Sequence, residues 1–126
     1  MTETKGVALA LQRVGDQVWL KSLRYGEQGL QILMDVEGQL AEVSFVSVYG
    51  FRVLDEADLL EFWTECSLSN GWAYEISEGG WFALESSREG FLSGANAKPR
   101  EFLVVSQNEC VSVMCDDIHP TILWQK

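Results

Sequence analysis

Only two prolines fall among the 126 residues, and no stretch is a monotonous run of glycine, serine or charge, which excludes a disordered or linker-rich chain. Base is scarce as well: nine lysines and arginines face nineteen acidic residues, for a formal net charge of −10. Nucleic-acid phosphates and anionic membrane would repel such a chain, so neither is an expected partner, and the partner that the charge attracts is cationic. The three cysteines, Cys66, Cys110 and Cys115, are an odd number without a CxxC pair. They do not form a disulfide framework, and reduced thiols are expected. Long apolar runs are missing too. Gly6 to Leu11 is too short for a signal core, and nothing approaches the roughly 20 apolar residues of a membrane span, which leads to the expectation of a cytoplasmic protein.

What the chain does have is acid and aromatic surface in one place. From Asp55 to Glu89 it carries nine acidic residues against Arg88 alone, together with Trp63, Trp72, Trp81 and Tyr74. Acidic groups beside large aromatics suit a surface that grips a basic protein. The hydrophobic content of 47% and the length predict one domain over residues 1–126, able to bury roughly two-thirds of its unfolded surface without staples.

Hydrophobic periodicity predicts an α+β fold: a twisted antiparallel sheet of about six to eight strands with one principal helix packed on it. Val7, Leu9 and Leu11 alternate, Val18 and Leu20 follow the Gly15-Asp16 turn, and Leu30, Ile32, Met34 and Val36 keep a period of two. Leu33 interrupts the polar side of that strand, so its outer face is expected to be partly covered. Glu42 to Leu54 reads as one β segment with a bulge or bend at Gly50. The period then changes. Leu59, Leu60, Phe62, Trp63 and Cys66 share one side of a helix from about Glu56 to Cys66, capped by Asp55, and Asp58, Glu61 and Glu65 form an acidic ridge on the opposite face. Trp72 to Ile76 and Trp81 to Leu84 are expected to be the arms of a hairpin around Ser77-Glu78-Gly79-Gly80. Glu85 to Pro99 reads as a surface loop anchored by Phe91 and Leu92. Glu101 to Val105 and Cys110 to Met114 make a second hairpin, before a tail ending in Ile122-Leu123-Trp124.

Reaction chemistry is thin. Cys110, Cys115 and His119 are spaced by five and four, unlike the tight pairs of structural zinc, so no metal and no cofactor is expected. His119, the one histidine, precedes Pro120 in a turn and is a poor candidate for a catalytic base. Paired carboxylates such as Asp116-Asp117 read as a solvated face, and Gly79-Gly80 lacks the lysine and spacing of a phosphate loop. No catalytic residue is assigned. The expected partner-binding residues are Asp58, Glu61, Glu65, Trp72, Glu75, Glu78 and Trp81, whereas Trp63 belongs to the apolar helix face.

Three segments, Phe51 to Trp63, Gly71 to Phe82 and Arg100 to Met114, resemble those of small acidic bacterial proteins of the polymorphic-toxin immunity type. The resemblance implies a non-enzymatic protein that binds and neutralises a cognate, basic bacterial toxin, and it carries over no catalytic residue. Two other classes fit the same composition: an adaptor or regulatory protein-binding module without a toxin, and a small-molecule binder holding its ligand inside the sheet.

Overall fold

Alternation of buried and more exposed positions, the mark of a strand with one face on a core, runs through residues 29–45. The computed structural model describes residues 4–9, 15, 17–55, 66, 71–91 and 99–125. Its strands are β1 (Lys5–Ala8), β2 (Val18–Gly26), β3 (Gly29–Val36), β4 (Gln39–Phe45), β5 (Val48–Asp55), β6 (Ala73–Glu78), β7 (Arg100–Val105), β8 (Glu109–Cys115) and β9 (Thr121–Trp124). One short helix, α1 (Trp81–Ser86), lies between β6 and β7. The strands form two antiparallel sheets, a five-stranded one ordered β1-β6-β7-β8-β5 and a four-stranded one ordered β2-β3-β4-β9.

The core lies between the sheets. From the four-stranded sheet come Val18, Leu30, Ile32, Met34, Ala41, Val43 and Phe45, and from the other Ala73, Phe102, Val104, Val111, Val113 and Cys115. Phe45 meets Phe102 across the gap at 5.6 Å between ring centroids. The outer face of the five-stranded sheet carries a second apolar cluster, in which Cys66 packs with Tyr74, Ile76, Leu103, Val105 and Cys110. Burial on both faces explains why β7 and β8 read as continuous apolar runs instead of alternating ones.

Several expectations need correction. Among the described residues the fold is mainly β with one short helix, and the expected single antiparallel sheet of six to eight strands is instead two sheets of nine strands in all. The expected helix from Glu56 to Cys66, with its ridge of Asp58, Glu61 and Glu65, lies outside the described residues except for Cys66. The single segment from Glu42 to Leu54 is two strands in different sheets, because the chain turns at Val46-Ser47, where Ser47 takes the left-handed φ of 52°. Gly50 does sit at an irregularity, since the β5–β8 register shifts between Val48 and Gly50. Trp81 to Leu84 is helix and not the return arm of a hairpin; β6 pairs instead with β1 and β7. Four residues are too few for periodicity to separate the two states. The β7–β8 hairpin formed as expected, and the tail became β9, paired to β4.

Candidate functional site

A carboxylate buried in a strand fixes the position of α1. Glu101, second residue of β7, is 4% exposed, and it accepts the backbone N–H groups of Trp81 and Phe82, each at 2.8 Å. These are two of the donors that the first turn of a helix leaves without an internal partner. Burial pushes the carboxyl above its ordinary range, while the two N–H groups and Arg52 pull the other way. Gly80 permits the approach. A methyl group there would collide with the pinned Glu101 carboxylate and with Ile76.

So anchored, α1 holds Trp81 beside Gly50 on β5, with the Arg52 guanidinium 5.2 Å from its ring centroid. The indole N–H donates to Glu85 at 3.2 Å, and Glu85 also accepts from Arg88 at 2.8 Å, a bond that holds its carboxyl below the usual range. The chain then folds back. Phe91 sets its ring edge-on to Phe82 at 5.9 Å and lies 6.0 Å from the Arg88 guanidinium, although Glu85 and Ser86 of the expected loop belong to α1 and its second expected anchor, Leu92, lies outside the described residues. An open groove of about 370 Å³ results between α1 and the edge of the sheet, lined chiefly by Tyr49, Trp81, Phe91, Met114, Glu85 and Arg88. Tyr49 stands at the β5 irregularity with 42% of its surface exposed.

A second polar group closes the sandwich nearby. Arg100 forks onto Glu75 at 2.8 and 2.7 Å, and it reaches Asp117 at 3.4 Å and the Nδ1 of His119 at 3.3 Å. Its guanidinium and the His119 ring both lie against Phe102. The Arg100 hydrogen bonds hold Glu75 below the usual carboxylate range. Cys115, buried next to this group, is pushed up to about 11 mainly by burial, which makes it a poor nucleophile. Its Sγ faces the Ile118 carbonyl at 3.9 Å. Among the described residues no cluster of three His, Cys, Asp or Glu is placed to hold a metal ion.

Compared with models of known protein families, with curated proteins and with solved structures, the chain matches none. The groove is therefore judged on its own chemistry. Aromatic rings, an arginine and a methionine around a shallow opening are the groups enriched at protein interfaces. The expected contact residues fare unequally against it. Trp81 lines the groove. Glu78 is exposed at the end of β6, while Glu75 is engaged by Arg100. Trp72 is not a contact residue: it is fully buried in the core, edge-on to Trp124 at 6.1 Å. Asp58, Glu61 and Glu65 lie outside the described residues. Sequence reasoning missed Tyr49 and Glu101 as site residues, whereas Phe91 and Arg88 fall in the segment from Glu85 to Pro99 that was expected to lie on the surface within reach of a partner. No described helix is long and apolar enough to cross a membrane.

Proposed function

We propose that the protein is an immunity-type binding module that neutralises a cognate, basic bacterial toxin in the cytoplasm, using the groove between α1 and β5 as part of its contact surface. The observation that carries this reading is the meeting of Tyr49, Trp81, Phe91 and Arg88 at one opening of a strongly acidic protein. Aromatic and arginine side chains supply most of the energy at protein interfaces, and net negative charge speeds encounter with a basic partner. The buried, unreactive Cys115 and the committed Glu75 and Arg100 leave the neighbouring polar group a structural role.

The test is affinity capture from the native cell with the wild-type protein and with Tyr49→Ala. The expected result is retention of a basic protein that arrests growth when expressed alone and is harmless when co-expressed with the wild-type chain. A retained partner that is neither basic nor toxic would replace this reading with the adaptor one. A partner held equally well by Tyr49→Ala would remove the groove from the interface.

A further inference from the structure

Among the described residues the two sheets present four edge strands, and they are not equally protected. β1 and β9 are four residues long each, too short to template much pairing. β2 has nine residues, but its register breaks between Leu20 and Ser22, and the exposed Lys21 and Arg24 stand on it. Bulges, brevity and lysine are the usual guards of an open edge. β5 is eight residues long, contains neither lysine nor proline, has its one basic residue, Arg52, half-buried against the Trp81 ring, and pairs among the described residues with β8 alone. Beyond its irregularity at Tyr49 it runs regularly to Asp55. Apolar surface flanks it: Val53 is 45% exposed, and Tyr25, 56% exposed, lays its ring on Phe51 at 5.2 Å.

We propose that β5 receives an extended, alternating apolar segment of a partner protein, flanked by lysine or arginine, as an added strand of the five-stranded sheet. The inference rests on the protein-binding reading above and specifies how the partner docks. Main-chain hydrogen bonds supply the attraction in such strand addition, and pockets for alternate side chains supply the choice of sequence. One side of an added strand meets the groove beside Trp81, and the other meets Tyr25, Phe51 and Val53. Charge selects the flanks. Asp55 pairs with Glu109 at one end of β5, and Asp116 and Asp117 follow Cys115 at the other, where Asp116 donates its N–H to Ser47. A second copy of this chain is the poorer occupant. Two surfaces of net charge −10 repel, and antiparallel β5–β5 pairing would bring Asp55 of one copy towards Asp116 of the other.

The probe is a phage-displayed library of random nine-residue peptides selected on the immobilised full chain. Enriched peptides are expected to alternate apolar residues between basic ends, and an enriched peptide resynthesised with glutamate ends should bind at least tenfold more weakly. Val53→Lys, which places a guard on the edge, should weaken the peptide at least tenfold, whereas Val7→Lys on the β1 edge should leave it unchanged. Wild-type β5 amides should exchange at least tenfold more slowly with saturating peptide, a readout that holds even if Val53→Lys folds poorly. Failure to enrich any peptide, enrichment without Lys or Arg, or undiminished binding to a well-folded Val53→Lys overturns the proposal. If the natural basic partner binds Val53→Lys as it binds wild type but loses Tyr49→Ala, strand addition is wrong while the protein-binding reading stands.

Discussion

Replacing Trp72 by alanine separates a core role from a contact role. Trp72 is fully buried, belongs to the cluster between the sheets and meets Trp124 edge-on, and its carbonyl accepts the N–H of Val105 at 2.7 Å. Truncating a buried tryptophan costs about 3–5 kcal/mol, since the removed transfer energy is joined by the cavity left behind. The lost ring pair with Trp124 places the effect towards the upper end. For 126 residues at about 2.1 cal/mol/K each, the unfolding entropy is about 0.26 kcal/mol/K, so each kcal/mol moves Tm by about 4 °C. The expected fall is therefore about 12–20 °C in a calorimetric or circular-dichroism melt at neutral pH. Binding per folded molecule should be unchanged at temperatures where the variant remains native. A fall of less than about 4 °C, accompanied by lost partner binding, would refute the placement of Trp72 in the core and return it to the interface.

Glu101→Gln should reveal the buried carboxylate by its pH dependence. Because the folded carboxyl titrates above its ordinary value of 4.5, the wild type loses stability as pH rises through the folded value, and relative to the glutamine variant it should therefore gain stability as pH falls towards 4.5, measured by melts from pH 4 to 8. Glu75→Gln should behave oppositely. The folded Glu75 value is depressed, so its ion pair with Arg100 stabilises above 4.5, by no more than about 1 kcal/mol at this partly exposed site, and the wild-type advantage should vanish as pH drops through the folded value. Tyr49→Ala should leave stability within about 1 kcal/mol while weakening the partner by about 2 kcal/mol or more, read from paired melts and titrations. The association rate with a basic partner should fall steeply from about 0.05 M to about 0.5 M salt, with dissociation nearly constant; a salt-independent rate would make the acidity a solubility feature.

Local pattern made β3, the β7–β8 hairpin and the irregularity near Gly50 legible, because a period of two and turn residues act within a few positions. The division into two sheets was not legible. One left-handed residue, Ser47, sends β5 to a different sheet from β4, and a lone serine between Val46 and Val48 gives no sign of that turn, since Ser44 sits within β4 itself. The groove depended still more on distance in the chain. Tyr49, Trp81 and Met114 meet only because β5 pairs with β8 and because Glu101, 20 residues beyond Trp81, caps the helix that carries it.

By itself the sequence determined the charge, the strand-rich character and the poverty of reactive groups, all of which are sums over residue types or repeats over short windows. Tertiary structure alone decided which tryptophan is core and which faces the groove, since Trp72 and Trp81 are chemically identical and differ only in what packs against them. It also decided that Glu75 would be held by Arg100 while Glu78 stayed in solvent, because a carboxylate three residues along a strand changes face and neighbours, and burial is a property of the assembled sheets.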